Sequence, residues 1–161
     1  MEEKLNKLAK MIIKNNEYTT LATSDSNGAP WVSILAYSYD TDWNLYFVSI
    51  PKSKHGQQLE RKRMVACSIF DSRQDWGKGV GLQIEAKCKI ISENEFKHVS
   101  KVYFERKYPY GKVEPDTKKF FKKSLSDKNS LYKFYKIEPK AVWMNNPYSK
   151  TDVRVKIDLF N

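Results

Sequence analysis

The chain has 161 residues, 40% hydrophobic and 30% charged, with six glycines and six prolines; this is enough apolar material for one packed domain and excludes collagen-like, low-complexity and fully disordered chains. No apolar run approaches the roughly 20 residues of a membrane-spanning helix, the charged segment 1–14 lacks the apolar stretch of a signal peptide, and two cysteines, Cys67 and Cys88, are too few for a disulfide scaffold and too far apart for a zinc site, so a cytoplasmic protein is expected. The net charge of +10 is uneven: residues 87–140 carry 15 basic and 7 acidic side chains, against 11 and 10 in residues 1–86.

Leu5, Leu8 and Ile12 recur at helical spacing between Glu2 and Lys14, which predicts an amphipathic helix. Tyr18 to Ser24 is β-branched and aromatic and reads as a strand. Ser26-Asn27-Gly28 is the strongest hairpin signal in the chain. Strands are expected at Trp31 to Tyr39 and Asn44 to Ile50, joined by a turn at Asp40 to Asp42, so that the first three strands form an antiparallel meander. Beyond Pro51 the period changes, and Ser53 to Arg63 reads as a short helix. Met64 to Phe70 is a further strand, Asp71 to Gly79 a polar loop, and Val80 to Ser92 a long strand alternating apolar and polar residues. Glu93 to Lys107 is expected to be helical, Pro109 to Lys123 a basic and partly helical excursion, and Leu131 to Asn145 and Val153 to Phe160 the closing strands. Together these predict a mainly β, α+β fold: a closed or partly closed antiparallel barrel with helices at its ends.

Side chains for independent catalysis are sparse. His55 and His98 are the only histidines, and His98 lies among lysines as a surface residue. No HExxH, CxxC or nucleophile-elbow pattern is present. Gly77-Lys78-Gly79-Val80-Gly81 lacks the spacing of a phosphate loop and leads into a strand, so it reads as a flexible bend. No catalytic residue and no metal ligand is assigned, and any chemistry is expected to come from a cofactor.

One segment does carry a physical signal. After the strand ending at Ser49, the chain turns through Pro51 and enters a helix capped by Ser53. Lys52, Lys54 and His55 cluster at that helix start, where the dipole and free N–H groups already disfavour cations. An arriving anion relieves the conflict, so the segment reads as a phosphate cradle, against the plainer reading of an exposed basic turn.

The segments TLATSDSNGAPWVSILAYSYD (Thr20 to Asp40), NLYFVSIPKSKHGQQLERKRMVACSIFD (Asn44 to Asp71), GLQIEAKCKIIS (Gly81 to Ser92) and YKIEPKAVWMNN (Tyr135 to Asn146) resemble, in order and spacing, the pyridoxamine 5′-phosphate oxidase-like split barrels. The resemblance implies a homodimer binding flavin mononucleotide (FMN) at the dimer interface. It implies that Ser33 and Ile34 border the isoalloxazine ring and ribityl chain, and that Ser49, Ser53, Lys54 and His55 hold the phosphate. Trp143 has two expected roles, stacking near the partner's flavin or packing in the core. The tail VWMNNPYSKTDVRVKIDLFN lacks the Arg-Leu-His segment of the vitamin-pathway oxidases, Ser33 replaces their arginine, and Gly81 stands near their glutamine. The implied relatives are therefore the general-stress and nitroimidazole-resistance-like branch, with an oxidoreductase reaction on an unidentified small substrate. Two alternatives stand beside it. One is a flavin carrier or sensor without turnover; the other is a nucleic-acid-binding barrel using the lysines of 87–140 with Tyr103, Tyr108, Tyr110, Phe120 and Phe121.

Overall fold

The computed structural model describes residues 1–160. In chain order the elements are α1 (Glu2–Asn15), β1 (Tyr18–Ser24), β2 (Pro30–Ala36), β3 (Ser38–Tyr39), β4 (Leu45–Ser49), α2 (Lys54–Arg61), β5 (Met64–Phe70), β6 (Gly81–Ile90), a 3-10 turn (Glu93–Glu95), α3 (Phe96–Glu105), α4 (Pro115–Ser126), β7 (Lys133–Asn145) and β8 (Arg154–Ile157). All ladders are antiparallel, in the order β2-β1-β5-β6-β7-β4-β3, with β8 paired to β7. The expected split barrel with flanking helices is what these residues form.

The expected meander is corrected. Trp31 to Tyr39 is interrupted at Tyr37, so its leading residues pair with β1 and its last two with β4. One continuous segment thus supplies both outer strands of the sheet, which must curl to bring its edges together. Tyr37 marks the corner: it is fully buried, its N–H donates to the Glu17 carbonyl at 3.0 Å and its hydroxyl to the Ile13 carbonyl at 2.6 Å. The predicted helix Glu93 to Lys107 divides into the 3-10 turn and α3, where Glu95 reaches back to the Ser92 backbone and hydroxyl as a capping box. The last predicted strand shrinks to β8, and the basic excursion after Pro109 becomes α4 with Pro115 at its start.

Alternation decides which face each strand buries. Leu21, Val65, Cys67, Ile69, Leu82, Ile84, Cys88 and Ile137 turn inward with Leu45, Phe47 and Tyr135. α1 adds Leu5, Ala9 and Ile13 at four-residue intervals, docked against β5, β6 and β8. β4 is buried on both faces, because Tyr46 and its neighbour Phe134 lie under α3 and α4 with Val99, Phe104 and Leu125. In β7 the inward set passes from Tyr135 and Ile137 to Val142 and Met144, an odd interval. The parity changes at a bulge: Glu85 opposes Ala141 and Ala86 opposes Pro139, leaving Lys140 as the extra residue.

Candidate functional site

Ser53 caps α2: its hydroxyl accepts from the Gly56 N–H at 3.2 Å, and its own N–H donates to the Ile50 carbonyl at 2.9 Å. Gly56 is required by crowding. A Cβ there would meet the Pro51 carbonyl oxygen at 2.4 Å and carbon at 2.8 Å, so the helix start is pressed against the preceding turn. α2 then packs on β1 and β2.

This docking buries His55 between two strands. Its Nδ1 lies 3.0 Å from the Ser33 hydroxyl on β2, and its Nε2 lies 2.8 Å from the Ser49 hydroxyl on β4. Serine can donate or accept, so the two hydroxyls match a neutral ring in which one nitrogen carries the proton. Burial depresses the imidazole pKa below its ordinary value, keeping the ring uncharged at pH 7. Ser49 and Ser53 lie 3.5 Å apart, which brings a second hydroxyl to the same point. Phe47 meets the imidazole edge-on at 6.0 Å and stacks on Tyr135 at 4.9 Å, so the ring is seated on the barrel core.

Of the six candidates, Ser33, Ser49, Ser53 and His55 converge. Lys54 is exposed beside them, with its ammonium 4.0 Å from the Trp31 ring centroid. Ile34 faces the other way. Ser33 pairs with the inward-facing Leu21, and strand alternation turns Ile34 outward, 73% exposed. Trp31, which no sequence motif marks, joins the site, and Gln58, equally unmarked, ties α2 to the β1 residue that opposes Trp31. Trp31 is two residues from Ser33 and therefore on its face; Gln58 is buried, with its carbonyl accepting from the Thr23 hydroxyl at 2.5 Å. The period-two rule applied from Ser33 points to Trp31; nothing local points to Gln58.

The remaining candidates are placed as follows. Trp143 is outside the core, on the outward face opposite Gln83 and Lys156, beside a groove of about 310 Å³ that includes Thr20, Ala22 and Val32. His98 is largely exposed, with Nε2 3.7 Å from the Asp40 carboxylate. Hydrogen bonds from Tyr46, Asn44 and Asp42 outweigh burial and keep that carboxyl below its usual pKa. Tyr103, Phe120 and Phe121 pack edge-on against Phe104, Phe134, Tyr132 and one another, Tyr108 lies by the Arg106 guanidinium and Tyr110 by that of Arg73. Among the described residues no group of three or more His, Cys, Asp or Glu is placed to hold a metal, and no helix is long and apolar enough to cross a membrane.

The chain is similar in fold to several solved proteins. A heme binding protein from Mycobacterium smegmatis superposes with a TM-score of 0.71 at 13% identity, over 94% of this chain and 57% of that longer one. HutZ, the heme storage protein of Vibrio cholerae, gives 0.63 at 14% identity over 83% and 89% of the two chains. General stress protein 26 from Bacillus anthracis gives 0.59 at 16% identity over 87% and 92%. No curated protein matches the chain in sequence. At these identities the likeness is one of fold, whereas the sequence match is to a family: residues 5–145 fit the family described as pyridoxamine 5′-phosphate oxidase, and the chain belongs to it.

Proposed function

We propose that the protein binds FMN and uses it in an oxidoreductase reaction on a small substrate. The observation that carries this reading is the meeting of the Ser33, Ser49 and Ser53 hydroxyls with the start of α2 and the Lys54 ammonium. The first N–H groups of a helix have no partner inside it. With the Lys54 ammonium, the Ser53 hydroxyl and whichever of Ser33 and Ser49 accepts from the ring N–H and so keeps its own proton free, they form a donor set suited to a phosphate dianion. His55 would act by position rather than by charge, holding Ser33 and Ser49 at a fixed separation. Both its ring nitrogens are engaged by serines, which favours a flavin phosphate over a haem ligated by this residue. Bound there, the flavin would supply electron or hydride transfer, while the chain fixes the phosphate and shields one edge of the site with Trp31.

The outward face of β2, β1 and β5 supports a homodimer. Tyr18, Val32, Ile34, Met64 and Phe70 are each more than half exposed on adjacent strands, a contiguous apolar area of the kind that a partner covers. Ile34 would then meet the ring at the shared interface.

The test is the visible spectrum and light-scattering mass of purified protein loaded with FMN. Oxidised-flavin bands on a dimer support the reading; a Soret band instead, a colourless protein that cannot be loaded, or FMN on a monomer overturns the corresponding claim. Changing Lys54 and His55 together to Ala should raise the FMN Kd at least about tenfold. A change under about twofold, or ~0.4 kcal/mol, would remove the cradle.

A further inference from the structure

At the other end of α2 the chain leaves the helix through Arg61 and Lys62 and enters β5 after Arg63. There Arg63, Lys87, Lys89, Lys136, Glu138 and Lys140 surround a cavity of about 440 Å³ over the edge of the buried Cys88. Register places the charges. Lys87 opposes Glu138 and Lys89 opposes Lys136 across β6 and β7, while Met64, next to Arg63, opposes Lys87 from β5. The bulge adds Lys140 to the same rim.

The carboxylates nearby are already committed. Glu138 is bridged to Lys140, and Glu95 lies 3.4 Å from Lys136. The Glu138 carboxyl is held below its usual pKa, chiefly by Lys140, with Lys136 and Lys89 adding to the effect. Among the described residues, Arg63, Lys87 and Lys89 have no ion-pair partner within 4.0 Å. Like charges directly opposite each other in a ladder are destabilising, so Lys89 against Lys136 is a local cost that an anion would remove.

We propose that this cavity is a second anion site, distinct from the cradle, which takes a compact polyphosphate group of a small molecule through Arg63, Lys87 and Lys89. Three uncommitted cations facing one cavity match an anion of three or more charges. Its size suits a small molecule. It has no aromatic wall on which a base would stack, so recognition is by phosphate charge and not by a nucleobase. For the same reason a nucleic-acid strand is disfavoured: the aromatics of residues 103–132 are packed against one another or against Arg side chains elsewhere.

The experiment is a titration of the full chain with inorganic triphosphate, followed by backbone amide shifts. Shifts are expected at residues 63, 86–90 and 135–141. Changing Lys87→Gln and Lys89→Gln together should weaken binding about tenfold, as the loss of two charge-assisted contacts implies. A control pair with the same charge loss, Lys119→Gln and Lys123→Gln on α4, should leave affinity within about twofold. Equal weakening by both pairs would reduce the effect to net charge and overturn the site, as would shifts centred on residues 49–56. ATP should bind about as well as triphosphate; much tighter ATP binding would overturn recognition by phosphate alone. A mixed-sequence RNA that binds and is not displaced by triphosphate would overturn it in favour of a macromolecule.

Discussion

The two ends of α2 both present cations, yet the N-terminal end is built around a neutral, buried His55 tied to two serines, whereas the C-terminal end gathers lysines at a sheet surface. At the first end geometry is set before any ligand arrives, by a helix cap, a glycine contact and an imidazole wedged against Phe47. At the second, strand register and the β7 bulge bring the charges together, and Arg63, Lys87 and Lys89 have no ion-pair partner among the described residues to fix them. If the two proposals hold, the difference should separate binding set by shape from attraction by charge: salt should weaken an anion at the second site more than a phosphate at the first, as the screening length falls.

The largest effect expected is from Gly56→Ala. The new methyl would strike backbone atoms of Pro51 and Ile50, which are not free to move. A loss of about 3 kcal/mol, or roughly 6–12 °C in Tm, is expected, together with weaker FMN binding. An unchanged melting curve would show that the helix start is not held in place by this contact. The next effect is in pH dependence. The folded pKa of His55 lies below its ordinary value of 6.5, so the unfolded state takes up the proton first. Stability should therefore fall as pH drops below about 6.5, flattening under the depressed folded pKa. Urea unfolding at pH 7.5 and 5.5 should show a smaller difference for His55→Asn than for the parent; an identical difference would mean that His55 is not the group responsible. The smallest effect belongs to the other end. Lys89→Gln should raise Tm slightly at low ionic strength by relieving Lys136, and the gain should vanish near 1 M salt, where screening reaches about 3 Å. A gain that persists in high salt would mean that packing, and not repulsion, is at work.

The sequence makes the cluster at the start of α2 legible because its signals are local. Ser53 before a helix, Lys54 and His55 in the first turn and Ser49 at a strand end all lie within seven residues. The amphipathic stripe of α1 and the alternation of β6 are equally local, and the structure keeps both. What the sequence hides depends on partners distant in the chain. Whether Ile34 faces in or out follows from its pairing with Thr20, and the break at Tyr37 follows from contacts with Ile13 and Glu17. The charge state of His55 is hidden for the same reason. An exposed turn would leave the imidazole at its ordinary pKa, and only the burial that tertiary packing supplies pushes it lower, further from the cationic form.

The continuous segment 30–39 has one more consequence. Because it forms both outer strands, the barrel is a hoop whose clasp is covalent: the seam is closed by the chain passing through Tyr37 and not by a hydrogen-bonded ladder between β2 and β3. Opening the chain at the exposed tip Asn27-Gly28 would cut the link between β1 and β2, which remain laddered along seven residue pairs. Opening it at Tyr37 would release both rims at once. The cradle spans that seam, with Ser33 on one rim and Ser49 on the strand beside the other, so the clasp sets the distance that His55 has to bridge.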